Sequence, residues 1–295
     1  MRRDRADPPR RAHRPRHVGA PARRIQRGQP RRRLRQGHGG DVTGNRGLLW
    51  LFKRETLRVS KLWTQTVLAP IIASALFIVV FGFSLSGRIR HIDGFPYREF
   101  IVPGLITMAM VQAAYSNNSS SVFQARSDRY INDVLSAPMH AWQMNIGYQV
   151  GGIVRSVAIG LGLGAIAVPI TGTPIREPIV LVAAIALGLL LFAALGTVVG
   201  IYAETFDHHM FVNNILILPL VFVGGVFYSV ARLPSPWHEL SHVNPLFYLV
   251  SAVRYGFLGH ADVSVLLALG VTAALAIPVY LWSQWLFTTG RRLKA

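Results

Sequence analysis

The sequence predicts an all-α membrane protein with six spanning helices. Two observations carry this. The chain is 51% apolar with a mean hydropathy of +0.36, although its first forty residues hold fourteen arginines. The apolar residues also gather into runs of about 18 or more with few charges, the length a helix needs to cross a bilayer. The runs lie at 63–83, 100–122, 148–170, 179–202, 210–230 and 263–287. A soluble core built from such helices would need amphipathic helices to cover it, and these runs carry no such polar face.

Residues 1–44 form a separate leader. In its first forty residues fourteen arginines stand against Asp4 and Asp7 among many Pro and Gly, with no lysine. Such a segment cannot bury enough apolar surface to fold. Two readings are open: an arm for anionic lipid or nucleic acid, or GC-rich upstream sequence read from an early start codon. The second expects a native start near Val18 or Val42 and no nucleic-acid partner. The leader lacks the apolar core and small-residue cleavage site of a secretory signal. The membrane domain is then 45–295.

After the leader, "GLLWLFKRETLRVSKLWTQ" at 47–65 sets Leu48, Leu49, Leu51, Phe52 and Leu57 among Lys53, Arg54, Arg58 and Lys61, with Glu55 between them. This pattern predicts an amphipathic helix lying in the membrane interface. If the N-terminus is cytoplasmic, inner segments hold ten Lys and Arg against six on outer segments. The bias places both termini inside. Gly147 with Gly151, Gly160 with Gly164, and Gly196 with Gly200 form small-xxx-small pairs that allow close helix approach. Pro103, Pro219 and Pro278 predict kinks unless neighbours satisfy the freed carbonyls.

Several chemistries are excluded. The three lysines, Lys53, Lys61 and Lys294, sit in no glycine-rich phosphate cradle, so the chain cannot drive itself with nucleotide. There are no cysteines, which removes thiol nucleophiles and cysteine metal sites. No mid-span carboxylate relay is visible for a proton-coupled transporter. Arg155 is the one charge clearly within a predicted span, about two turns from its inner end, where it either snorkels or lines a polar cavity. Glu204, Asp207, His208 and His209 suggest a metal site, but adjacent helical histidines diverge by about 100°; no metal or other cofactor is expected on this chain. "NNSS" at 117–120 resembles a glycosylation acceptor but falls at the inner end of a span.

Two segments remain. "FQARSDRYINDVLSAPMHAWQ" at 123–143 mixes Arg126, Asp128, Arg129 and Asp133 with Tyr130, Ile131, Val134 and Leu135. It predicts a short amphipathic helix on the inner face, presenting an apolar rib and charged flanks to a cytoplasmic partner. "SVARLPSPWHELSHVNPLFYLVSAVRYGFLG" at 229–259 is too apolar for a solvated loop and too broken by Pro234, Pro236 and Pro245 to span. Pro234 and Pro236 are expected to stop the fifth span, and Trp237, Phe247, Tyr248 and Tyr255 suit an interface.

In this order, and in the strings "FIVPGLITMAM", "RSDRYINDVLSAPM" and "GGVFYSVARLPSPWHELSHVNPLFYLVSAVRYGFLG", the chain from Gly47 onward resembles the permease subunits of type-2 ABC exporters of the bacterial cytoplasmic (inner) membrane. The resemblance implies two permease copies, or one and a close relative, on two cytoplasmic ATP-binding subunits that carry ATP and Mg. It implies that 126–138, with Arg126, Asp128, Arg129, Tyr130 and Asp133, is a coupling helix docking on the ATPase. It also implies that the interfacial helix, with Lys53, Arg54, Glu55 and Arg58, touches the same subunit. The stretch 232–259 would be a re-entrant helical hairpin closing the exit, with Tyr228, Trp237, Tyr248, Arg254 and Tyr255 at the outer gate and Arg254 facing headgroups or an outward cavity. Arg155 is the pathway candidate. The expected cargo is amphipathic: a lipid, a drug or a lipid-linked glycan. The alternative is a gradient-driven transporter or channel without an ATPase.

Overall fold

The computed structural model describes residues 46–84 and 89–293. The leader and Lys294 lie outside the described residues. Helix α1 (Arg46–Lys61) follows the amphipathic pattern: Leu51, Glu55 and Val59, four residues apart, are buried, while Trp50 and Leu57 are exposed. That stripe packs against α5 (Ala141–Thr171) where Gly147 and Gly151 remove side-chain bulk; a Cβ on Gly151 would stand 2.9 Å from Glu55 Cβ.

The first apolar run becomes Thr64–Ser84: a π turn at Thr64–Leu68, α2 (Ala69–Val79), and a second π turn at Val80–Ser84. Pro70 has no N–H to offer the carbonyl of Thr66 four residues earlier, and the wider turn forms beside it. The device recurs in Phe206–Val223, where α7 (Phe206–Val212) passes through a π turn at Asn213–Ile217 into α8 (Leu218–Val223), with Pro219 at its start. The proline-bearing fifth run is thus accommodated by a changed helical pitch.

Between the first and second runs the chain makes a hairpin that the hydropathy reading treats as loop. β1 (His91–Ile92) pairs antiparallel with β2 (Phe95–Pro96). Asp93 and Gly94 take φ of 50° and 85°, the backbone of a two-residue primed turn, and Asp-Gly is its sequence signature.

Helix α3 (Tyr97–Ser127) lies at the centre, packed on α5, α6 (Pro178–Tyr202) and α10 (Pro245–Leu258). Two glycines of α6 set the approach: a Cβ on Gly196 would be 2.5 Å from the Tyr115 carbonyl oxygen, and one on Gly200 would be 2.6 Å from that of Ser119. Gly164, by contrast, has nothing within 4 Å of its Cβ position. Two of the three glycine pairs are therefore contact devices, while Gly160 receives the side chain of Met110.

Among the described residues five helical stretches are long and apolar enough to cross a membrane: Thr64–Ser84, Ala141–Thr171, Pro178–Tyr202, Phe206–Val223 and Val265–Thr289, the last being α11. The remaining predicted run, 100–122, lies within α3, whose 31 residues extend about 46 Å. Its C-terminal half carries Asn117, Asn118, Ser119 and Ser121, all buried. A helix enclosed by other helices needs no apolar surface for lipid, so hydropathy understates it.

The fifth run ends earlier than 230. Helix α8 stops at Val223, and Gly225 turns the chain with φ 77°, in close quarters with Val230. The glycine reversal, rather than Pro234 and Pro236, terminates it. Beyond it come a 3-10 turn at Val230–Arg232, α9 (Trp237–Val243) and α10. Helix α10 has 14 residues, about 21 Å, short of a hydrocarbon core of about 30 Å.

Candidate functional site

At one end of the bundle, α3 runs into a tight elbow. Ser127 is its last residue, Asp128 and Arg129 follow, and α4 (Ile131–Ser136) begins after Tyr130. Arg129 takes φ 60°, an uncommon left-handed backbone for a residue with a side chain. It breaks the helix and redirects the chain. Ile131 is buried beneath the elbow while Asp128, Arg129, Asn132 and Asp133 are exposed.

Helix α1 braces this elbow. The Arg54 guanidinium lies 4.2 Å from the centre of the Tyr130 ring. Burial pushes the Tyr130 hydroxyl above its ordinary range, opposed by the Arg54 charge, so the ring meets the cation in its neutral form. Between α1 and α4 an open groove of about 890 Å³ is lined by Trp50, Leu57 and Met139 with Lys53, Arg58 and Asp133.

The residues expected to contact a partner do not all face the same way. Arg126 is still on α3, and its Nη1 donates to the carbonyls of Ala203 (2.9 Å) and Gly200 (3.3 Å) at the end of α6. It satisfies carbonyls that a helix C-terminus leaves open. Glu55 is wholly buried: its Oε2 accepts from Ser121 Oγ at 2.8 Å and lies 3.7 Å from Arg58 Nη1, while Oε1 is 3.8 Å from Arg54. Glu55 and Arg126 hold the elbow; Asp128, Arg129 and Asp133 present charge outward.

Arg155 lies deeper than expected. Helix α5 begins at Ala141, fourteen residues earlier, so Arg155 is about four turns in, not two. It does not reach for the helix end. Its Nε donates 2.8 Å to the Thr66 carbonyl oxygen, the acceptor that Pro70 deprives of a helical N–H. The guanidinium also lines two cavities with mixed polar and apolar walls, among α1, α2, α3, α5 and α7.

Next to this, a polar latch crosses the bundle. Asn118 Nδ2 donates to the carbonyls of Ala193 (3.1 Å) and Gln149 (3.4 Å). Gln149 Nε2 donates to Asn145 Oδ1 at 2.8 Å and to Ser283 Oγ at 3.3 Å, and Asn145 Nδ2 donates to Gln284 Oε1 at 3.0 Å. Four helices are tied through Asn118, part of the "NNSS" string, and through side chains that hydropathy does not single out; the signal for these was Asn145 and Gln149 one turn apart on an apolar helix.

At the opposite end, α10 follows directly on α9 at Asn244. Asn244 forms the hinge: Oδ1 accepts from the Leu246 N–H at 3.0 Å and Nδ2 donates to the Leu220 carbonyl at 2.6 Å. Tyr248 donates its hydroxyl to the His242 carbonyl at 2.8 Å. Trp237 is exposed, Tyr228 and Tyr255 are half-buried.

Arg254 is the exception. It is fully buried and faces neither headgroups nor an outward cavity. Nη1 pairs with Asp262 Oδ2 at 2.5 Å, Nη2 donates to the Gly225 carbonyl at 2.6 Å, and the guanidinium lies 3.9 Å from the centre of the Phe100 ring. Asp262 in turn accepts weakly from Ser229 Oγ (3.5 Å), and its N–H donates to Ser251 Oγ at 3.1 Å. The pair pins the Gly225 turn and the loop before α11 onto α10. Asp262 is the sole acidic residue after Glu239, which was the available clue. Nearby, Phe77, Phe81, Phe227 and Phe222 form a chain of ring contacts with centroids 5.4 to 5.7 Å apart.

The suggested metal cluster is dispersed. His208 Nδ1 accepts from the Glu204 N–H at 3.3 Å, and His209 is buried edge-on against Phe206 with centroids 4.5 Å apart. Among the described residues no group of three or more His, Cys, Asp or Glu is placed to hold a metal ion.

Comparison with known proteins agrees with this architecture. Residues 46–258 match the ABC-2 type transporter family. The chain is 36% identical over 245 residues to the inner membrane transport permease YadH of Escherichia coli K12, covering 83% of this chain and 96% of that one. It is 24% identical over 240 residues to nodulation protein J of Rhizobium leguminosarum bv. viciae, covering 80% and 93%. Nodulation protein J of Rhizobium meliloti is 23% identical over 234 residues, covering 78% and 89%. With an extended family match and a relative aligned over most of both chains, this multi-helix protein belongs to the ABC-2 type transporter family.

Proposed function

We propose that the chain is the membrane-spanning permease subunit of an ATP-driven exporter in the bacterial cytoplasmic membrane, working with a second permease copy and separate ATP-binding subunits. The observation that carries the reading is the elbow. Asp128, Arg129 and Asp133 are exposed on a short segment held to the bundle by Arg54 on Tyr130, by Ile131 beneath it and by Arg126 on α6. A rigid, charged projection joined to two long helices is what a docking partner needs to move them.

In this reading α3 is the sixth span, both termini are cytoplasmic, and α1 lies in the inner interface. Helices α9 and α10 enter from outside and return, closing the exit. ATP and Mg reside on the partner, whose closure favours one permease conformation because its docking free energy differs between the two. The cargo is amphipathic, entering from the inner leaflet.

The test is direct. In reconstituted vesicles, the Arg129→Glu, Asp133→Arg double variant should insert and fold normally while ATP hydrolysis no longer depends on transport. Unchanged coupling, or purification of the wild type from its own membrane without any ATPase, would refute the assignment and move the protein to the gradient-driven or channel class.

A further inference from the structure

Arg155 has more capacity than the Thr66 carbonyl uses. Its Nε is committed, but its two terminal nitrogens have no hydrogen-bond or ion-pair partner among the described residues. They open onto two adjoining cavities. One, of about 240 Å³, is lined by Arg58, Ser120 and Gln124; the other, of about 300 Å³, by Gln112 and Asn213; Arg155 and Ser116 line both. Each has room for roughly eight to ten waters at about 30 Å³ apiece. A tetrahedral oxyanion fits with space to spare.

The chemistry of the walls is one-sided. No Asp or Glu lines either cavity. The carboxylate of Glu55, 3.7 Å from Arg58 Nη1, is also engaged by Ser121 and Arg54. Arg58 Nη1 and Gln112 Nε2 are shielded from solvent and have no hydrogen-bond partner among the described residues. Against these donors stand Asn213 Oδ1 in one cavity and, in the other, the buried His209 Nδ1, which accepts or donates according to its tautomer. A half-buried cation and shielded donors without acceptors are costly in a membrane protein, and an anion beside Arg155 relieves those that share its cavity. A guanidinium fork with donors from α1 and α3 suits an acceptor with three or more oxygens better than a planar carboxylate.

We infer that these cavities bind a phosphate-type oxyanion through Arg155, Arg58 and Gln112, as the charged end of the cargo. The last clause rests on the proposed transport function; the binding itself does not require the ATPase. The anion comes either from a lipid headgroup or from free phosphate.

The difficulty for a test is that Arg155 also caps a backbone carbonyl. Pro70→Ala restores an N–H for Thr66 and makes that cap dispensable. Full-length protein in detergent would be equilibrated with an equimolar mixture of dioleoyl phosphatidic acid and dioleoyl phosphatidylcholine, and the retained lipids counted by native mass spectrometry. Wild type and Pro70→Ala should prefer phosphatidic acid about tenfold or more, the scale of a charged hydrogen bond. Adding Arg155→Gln to Pro70→Ala, or making Gln112→Leu in the wild type, should remove most of that preference. Displacement of the lipid by millimolar inorganic phosphate identifies a free oxyanion as ligand, and persistence of the lipid identifies the headgroup. Equal preference in Pro70→Ala with and without Arg155→Gln, or in wild type and Gln112→Leu, overturns the proposal. So does no preference in the wild type. None of these readouts changes if no ATPase partner exists, so this inference and the permease reading fail separately.

Discussion

Removing either member of the buried Arg254–Asp262 pair should be strongly destabilising, and removing both much less so than the sum. In Asp262→Ala the guanidinium keeps the Gly225 carbonyl at 2.6 Å and the Phe100 face at 3.9 Å but loses its counter-charge while wholly buried. Stripping one partner from a buried ion pair typically costs about 3–5 kcal/mol, mostly through the charge left behind. Arg254→Met removes the charge and keeps apolar contact with Phe100; the remaining carboxylate can still take bonds from Ser229 at 3.5 Å. Its cost should likewise be about 3–5 kcal/mol, because the Asp262 side chain is only 4% exposed and is left without its counter-charge. In the double variant, Arg254→Met with Asp262→Leu, neither charge is left unpaired, so most of the loss should be recovered. The coupling energy should reach about 2 kcal/mol or more. Equilibrium unfolding in mixed micelles, followed by tryptophan fluorescence, measures all four corners of the cycle. If Asp262→Ala lies within about 1 kcal/mol of wild type, or if the two losses simply add, the pair is not what secures the α8–α10–α11 junction.

The glycines of α6 and α5 give a paired contrast. Gly200→Val must displace the Ser119 carbonyl, 2.6 Å from the new Cβ, and should destabilise by about 1–3 kcal/mol or more, whereas Gly164→Val, with nothing within 4 Å, should stay within about 0.5 kcal/mol; the yield of monodisperse protein ranks them. Gln149→Leu removes two hydrogen bonds but leaves Asn145 Oδ1 accepting from Ser283 Oγ at 3.2 Å, so it should cost about 0.5–1.5 kcal/mol, readable in the same unfolding assay. Trp237→Ala with Tyr255→Ala should leave folding intact and alter export kinetics in reconstituted vesicles; wild-type kinetics would remove these two from the outer gate.

How much of this was legible in the chain depends on the range of the interaction. Where a helix is apolar is a local property, so five of the six runs appear as membrane-length helical stretches within a few residues of their expected ends, apart from the extra two turns at the start of α5 and the early stop at Gly225. The amphipathic pattern likewise placed α1, and the 229–259 stretch was rightly read as neither loop nor span. The family resemblance, carried by short strings of local sequence, is borne out by the match over 46–258.

What local pattern could not supply was the facing of polar side chains. Arg155 meets a carbonyl 89 positions away, Glu55 a serine 66 positions away, and Arg126 a carbonyl 77 positions away. Each partner is chosen by the depth and rotation at which two helices pack, which a hydropathy profile does not record. The sequence by itself determined which segments are apolar helices and, at Gly147 with Gly151 and Gly196 with Gly200, where they come close together. The tertiary structure alone decided that Arg254 is a buried ion-pair partner, that Arg126 and Glu55 hold the elbow while Asp128, Arg129 and Asp133 face outward, and that Arg155 opens onto a cavity. The physical reason is that burying a polar group demands a specific partner, and in this chain most of those partners are supplied by other helices.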